Sequence, residues 1–147
     1  MLKSQDPLTE IHLHARHLER MRRHVIQDLP KEACGLVAGR NGTSIEVYPV
    51  ENVLDSPNRF LMDAEQQLKI FQTLERRGWD LLAIYHSHPT GPPQPSATDV
   101  EETYYPDAIS LIWSRLANEW MCRAFVLRNK IFREITLRIE SSQQSHT

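Results

Sequence analysis

Residues 81–99 of the chain read LLAIYHSHPTGPPQPSATD. The apolar run Leu81–Tyr85 is typical of a central β-strand, and it leads directly into His86. The next segment, Pro89–Pro95, contains four prolines and one glycine, so it can continue neither a strand nor a helix. We therefore predict a strand, then a restrained loop, and then a helix that begins after Ser96.

Two histidines and one aspartate in this stretch are candidate metal ligands. Side chains two residues apart on an extended strand point to the same side, so His86 and His88 can reach one ion. Asp99 follows eleven residues after His88 and can supply a carboxylate oxygen. Three such ligands, with a fourth position left for water, describe catalytic zinc better than structural zinc. A His-x-His pair also arises by chance and Asp99 can be an ordinary helix cap, so these residues alone leave both interpretations open.

The complete spacing is more specific than the three ligands. The string HSH, seven further residues and then SATD resembles the signature of the JAMM, or MPN-plus, metalloprotease family. The resemblance continues upstream in Pro30–Leu36, where Glu32 stands between a proline and small apolar residues, as the family pattern asks. It implies a single-domain JAMM/MPN-like fold of the α/β (α+β) class, with a mixed β-sheet flanked by helices.

The same resemblance implies a role for each of five side chains. By this likeness His86, His88 and Asp99 hold Zn²⁺. Glu32 is then the general acid/base that takes a proton from the metal-bound water and returns it to the leaving amine. Ser96 steadies the oxyanion, in addition to its predicted place as a helix cap.

The resemblance is closest to the compact bacterial members of the family, because 147 residues leave no room for the insertions of ubiquitin-specific relatives. It implies a zinc metallopeptidase or isopeptidase that cleaves after the C-terminal Gly-Gly of a ubiquitin-like sulfur carrier protein. The alternatives are a catalytically inactive MPN-type scaffold and a RadC-like protein associated with DNA repair. Retention of all five site residues argues against the scaffold. Ser87 argues against the RadC-like branch, which typically has Asn there.

Length and composition support one domain. A chain of 147 residues with 40% hydrophobic content can close one core, which we place at about 11–140, with 141–147 as a frayed tail. The 17 basic residues nearly balance the 19 acidic residues, so the charge does not favour nucleic acid. No stretch approaches the roughly 18 apolar residues of a membrane span. We therefore expect a cytoplasmic protein with no membrane partner; the sequence leaves its oligomeric state open.

The remaining elements are predicted from periodicity and turn residues. We expect strands at 11–14, 33–38, 45–48, 60–62, 109–113, 121–127 and 131–139, a helix ending before Pro30, and a helix from Asp63 to Gly78 with Leu68, Phe71 and Leu74 on its apolar face. Cys34 is two residues from Glu32, and Tyr104 and Tyr105 follow Asp99, so these three could also line the site. The early histidines His12, His14, His17 and His24 are expected on the surface.

Overall fold

The computed structural model describes residues 8–101 and 105–141. Within these ranges the chain forms seven strands and three helices. In chain order the elements are β1 (Glu10–His14), α1 (Ala15–Gln27), β2 (Cys34–Arg40), β3 (Thr43–Val50), α2 (Ala64–Arg77), β4 (Asp80–His88), α3 (Ala97–Glu101), β5 (Ile109–Leu116), β6 (Glu119–Arg128) and β7 (Ile131–Glu140).

The strands form one mixed sheet in the order β1-β3-β2-β4-β5-β6-β7, and pairing of β7 with β1 closes it into a barrel. The β2–β3, β2–β4, β5–β6 and β6–β7 pairs are antiparallel, whereas β4 and β5 run parallel. The predicted mixed-sheet, α+β class is confirmed. Closure pairs the edges that an open sheet would expose.

Helix α1 packs on one face of the sheet. Its buried residues Met21 and Val25 join apolar side chains that alternate along the strands, such as Val37 of β2 and Tyr85 of β4. A Cβ atom at Gly35 would lie 2.3 Å from the Tyr85 ring, so only glycine allows this ring its place. The Tyr85 hydroxyl lies 2.7 Å from Nδ1 of His24, which ties α1 to β4.

Helix α2 packs on the opposite face, against β2, β3 and β4. It begins at the predicted cap, where Asp63 accepts a hydrogen bond from the Gln66 amide, and it ends at Gly78 with a left-handed φ of 70°. Ile70 and Phe71 of this helix contact Leu36 and its neighbours. The chain between β3 and α2 also lies on this face, which is where the candidate site is built.

Several predictions are wrong or fall outside the described residues. The expected strand at 60–62 is a single bridge between Asn52 and Met62. Leu68 is 56% exposed and does not belong to the buried face of α2. His17 is buried, and the Ser44 hydroxyl, 2.7 Å from its Nδ1, satisfies this ring nitrogen. Tyr104 and residues 142–147 lie outside the described ranges. No helix in 8–101 or 105–141 is both long and apolar enough to cross a membrane.

Candidate metal centre and active site

Strand β4 carries both candidate histidines in its last three residues. His86 and His88 alternate with Tyr85 and Ser87, so they face the side of the sheet occupied by α2. The ring of Phe60 stacks on His86 with centroids 4.6 Å apart. Both histidines are buried, which fixes their rings at the strand end.

The three candidate ligand atoms converge. Nε2 of His86 lies 3.2 Å from Nε2 of His88, and each of these atoms lies 3.1 Å from Oδ2 of Asp99. Ligands bonded to zinc at about 2.0–2.1 Å in a tetrahedron are separated by about 3.3 Å. His86, His88 and Asp99 therefore form a group that could hold a metal ion.

The hydrogen bonding of His88 supports a cation at this point. Its Nδ1 lies 2.8 Å from the Pro92 carbonyl oxygen, which only accepts, so Nδ1 carries the proton. In the neutral ring Nε2 is then a lone pair facing Oδ2 of Asp99, which is also an acceptor. Such an arrangement is favourable when a cation lies between the two atoms, and a backbone carbonyl on the distal nitrogen is the usual support of a histidine ligand.

Asp99 and Ser96 hold each other at the start of α3. The Ser96 amide donates to Oδ2 of Asp99 at 2.8 Å, and the Asp99 amide donates to the Ser96 hydroxyl oxygen at 3.0 Å. This reciprocal pair is a capping box with Asp in place of Glu. Ser96 is therefore the predicted helix cap, and it orients the carboxylate toward the two histidines.

The charge of Asp99 governs the protonation of the cluster. Burial opposes ionisation of Asp99, but its close polar contacts with His86 and His88 outweigh this effect and hold its pKa below the usual range. Burial would also lower the pKa of His88, but its bonds to Asp99 and to the Pro92 carbonyl raise it. At His86 burial dominates and lowers the pKa, which favours the neutral ring that a metal requires.

Glu32 lies beside this group without being one of the three converging ligands. Cys34 of β2 pairs with His86 of β4, and continuing this antiparallel register places Glu32 opposite His88 on the same face. Glu32 is only 3% exposed, and its Oε1 has no hydrogen-bond partner among the described residues. Burial raises the pKa of Glu32 from its ordinary value of 4.5 to about 8, with opposing effects from His88 and Asp99.

Sequence comparison assigns the chain to a family. The family described as prokaryotic homologues of the JAB domain matches residues 14–128. The chain belongs to this family. The match covers strands β2 to β6, and it includes Glu32, both histidines, Ser96 and Asp99. The JAMM resemblance inferred from the sequence is confirmed.

Individual relatives of this JAB-family protein are similar over much of its length. A probable TtuB-protein conjugate cleaving protease from Thermus thermophilus is 48% identical over 86 residues, which are 58% of this chain and 57% of that protein. A desampylase from Haloferax volcanii is 35% identical over 77% of this chain and 81% of its own length. The solution structure of protein DSY2949 from Desulfitobacterium hafniense has a TM-score of 0.81 at 34% identity, covering 90% of this chain and 94% of that one. The chain thus spans little more than half of the Thermus relative.

Three further side chains shape the site of this JAB-family protein, and none of them was predicted from the sequence to have a role there. Phe60 covers His86. Ser87 accepts a hydrogen bond from the Ala33 amide at 2.8 Å and so joins the segment of Glu32 to β4. Asn52 is buried beside the backbone of Glu32. Phe60 makes its contact with a ring face, and Ser87 and Asn52 make theirs with backbone groups. Contacts of these kinds leave no recognisable motif in a single sequence.

The two other candidates within the described residues have different positions. Cys34 is buried among apolar side chains, and its thiol donates weakly to the Val50 carbonyl at 3.5 Å. Burial raises the pKa of this thiol to about 12, so it stays protonated. Tyr105 packs edge-on against Phe71 of α2 at 5.5 Å, beside the α2 face of the site. It therefore remains a candidate for the wall, whereas Cys34 is a core residue.

Proposed function

We propose that this chain is a zinc metallopeptidase or isopeptidase that cleaves after the Gly-Gly tail of a ubiquitin-like sulfur carrier protein. The observation that carries the proposal is the convergence of His86, His88 and Asp99 within 3.2 Å beside the buried Glu32. Relatives named for cleaving a TtuB-protein conjugate and for desampylation support the substrate class. The proposal treats 1–147 as one domain with its core at about 11–140, and the single closed barrel supports this.

In this proposal His86 and His88 hold zinc through Nε2, and Asp99 holds it through a carboxylate oxygen. When bound, zinc supplies a Lewis acid that polarises the scissile carbonyl and lowers the pKa of a water to about 7. The Pro92 carbonyl and the Ser96 amide keep His88 and Asp99 in the required orientation. Phe60 and the buried strand end exclude bulk water from the ligands.

Glu32 is the proposed general acid/base. A group with a pKa near the working pH both accepts and releases a proton readily, and burial moves the pKa of Glu32 toward that range. Its Oε1, which has no partner among the described residues, is the atom proposed to accept the proton of the attacking water. The same oxygen then delivers that proton to the nitrogen of the leaving amine.

Ser96→Ala is expected to lower kcat by about a hundredfold if the hydroxyl is an oxyanion donor as well as a helix cap. The Ser96 amide bond to Asp99 survives the change, so we expect zinc content to stay at the wild-type level. Ser96→Thr, which keeps a hydroxyl, is the matched control. Loss of thermal stability in Ser96→Ala with unchanged kcat would reduce Ser96 to a cap.

The walls of the site support the proposed Gly-Gly preference. The loop after β4 packs closely on His88, since a Cβ atom at Gly91 would lie 3.1 Å from Cβ of His88. Phe60 closes the side near His86. A substrate that brings its carbonyl between these walls must be extended and slim just before the scissile bond, and two glycines meet that demand.

The test uses a ubiquitin-like sulfur carrier extended by several residues past its Gly-Gly. Zinc-loaded protein is expected to release the extension and leave a free glycine carboxylate, seen as one new species by intact-mass spectrometry. A carrier with both glycines replaced by leucine should be cut at least about a hundredfold more slowly. Equal cleavage of the two carriers would leave a less selective peptidase, and cleavage of neither would refute the proposed function.

A further inference from the structure

Asn52 lies two residues after the last residue of β3, Val50, and is 1% exposed. Its side-chain nitrogen donates to the carbonyls of Glu32 and Arg59, each at 3.0 Å. Its side-chain oxygen accepts from the amides of Leu54 at 3.1 Å and Leu61 at 3.0 Å. A primary amide has two donor hydrogens and two acceptor lone pairs, so these four bonds satisfy the side chain completely.

These bonds join two segments that belong to neither a helix nor a strand. One is the turn that carries Glu32 into β2, and the other is the connection of residues 53–61 between β3 and α2. The Glu32 amide also donates to the Ser56 carbonyl at 2.7 Å. Both backbone polar groups of Glu32 are therefore held by residues 52–61.

The side chain of Glu32 receives less support than its backbone. Oε1 has no hydrogen-bond partner among the described residues, so no side-chain bond sets the position of that oxygen. The direction of the carboxyl group therefore depends on where the backbone of Glu32 is fixed. On the β4 side this is done through Ala33, whose amide bonds to the Ser87 hydroxyl.

We propose that Asn52 is a positioning residue for Glu32, fixing its backbone against the 53–61 connection so that the carboxyl group stays aimed at the metal centre. The inference rests on the proposed function only for the role of Glu32 as the proton carrier. Displacement of a reacting group by about 1 Å costs on the order of a hundredfold in rate. A freed Glu32 backbone should therefore affect turnover more than substrate binding.

Asn52→Ala is expected to lower kcat by about ten- to a hundredfold with KM within about twofold of wild type, measured in excess zinc. Zinc content should stay at the wild-type level, because the three ligands lie on β4 and α3. Amide hydrogen exchange should become faster in peptides covering residues 31–33 and 53–61, and unchanged in β5 and β6. Asp63→Ala, which removes the cap of α2 next to the same connection, is the stability control and should leave kcat unchanged.

A double-mutant comparison separates positioning from a general effect on the fold. If Asn52 acts through Glu32, adding Asn52→Ala to Glu32→Gln should lower the residual turnover by less than about twofold. If the loss of turnover in the double variant equals the product of the two single losses, the proposal is contradicted. A wild-type kcat in folded Asn52→Ala would also contradict it. If that variant does not fold, Asn52→Ser replaces it, and failure of both to fold would assign Asn52 to the fold alone and overturn the proposal. The exchange measurement requires no substrate, so it still tests the link to Glu32 if the wild-type protein cleaves no carrier.

Discussion

Glu32→Gln is expected to keep about one zinc per chain and to lose turnover by on the order of a hundred- to ten-thousandfold. Gln has nearly the same size and can keep the buried place of Glu32, but it cannot accept the proton of the attacking water. Zinc should remain because the three converging ligand atoms belong to other residues. The measurements are elemental analysis and the rate of carrier cleavage by intact-mass spectrometry.

The same substitution has an expected effect on the metal-free protein. The pKa of Glu32 is raised by burial to about 8, so the native state disfavours its ionisation. As the pH rises from about 4.5 to about 8, the unfolded chain ionises this carboxyl before the native state does, and stability falls. Chelator-treated Glu32→Gln should therefore gain thermal stability over wild type at pH 8 and show little difference at pH 4.

Two outcomes would count against this assignment. Wild-type turnover in Glu32→Gln would remove Glu32 from the proton-transfer step. Loss of zinc in the variant would make Glu32 a ligand or a support of the ligands. Glu46→Gln is a control of the same chemistry on the exposed side of β3 and should leave both activity and zinc unchanged.

The local elements could be predicted because short-range chemistry determines them. Each predicted boundary of a helix or strand depends on a few neighbouring residues. Examples are the apolar run before His86, the prolines after His88, the Asp63 cap and Gly78. The candidate ligands follow from the same local order, since a strand end and a helix start on either side of a short loop are close in space. In the structure, the three side chains that were predicted from their spacing, those of His86, His88 and Asp99, lie close together.

What the sequence could not supply depends on contacts between distant parts of the chain. Closure of the barrel requires pairing of β1 with β7, which are more than 100 residues apart. His17 is buried beside Ser44, so its polarity alone led to a wrong surface assignment, and His24 is half-buried beside Tyr85. Asn52 gives no sequence signal, because all four of its partners are backbone groups.

His86→Ala, His88→Ala and Asp99→Ala are each expected to lower zinc affinity by more than about a hundredfold and to abolish cleavage. Loss of a supporting partner behind a ligand already costs on the order of ten- to a hundredfold in affinity, so loss of a ligand should cost more. Asp99→Ala also removes the carboxylate that lies 3.1 Å from both histidine nitrogens, and Asp99→Asn tests its charge at constant size. Zinc is measured by elemental analysis after gel filtration, and folding by circular dichroism.

The matched control for these losses is His12→Ala. His12 pairs with Glu10 and Glu140 where β1 meets β7, so it is also a histidine between carboxylates, but it lies outside the converging group. It should keep wild-type zinc content and turnover. Because His86 is buried under Phe60, His86→Ala can also lower the stability of the fold. In that case the prediction is tested with His88→Ala, which should be folded and free of zinc. Stoichiometric zinc in all three folded ligand variants would place the metal elsewhere, and the proposed active site would be wrong.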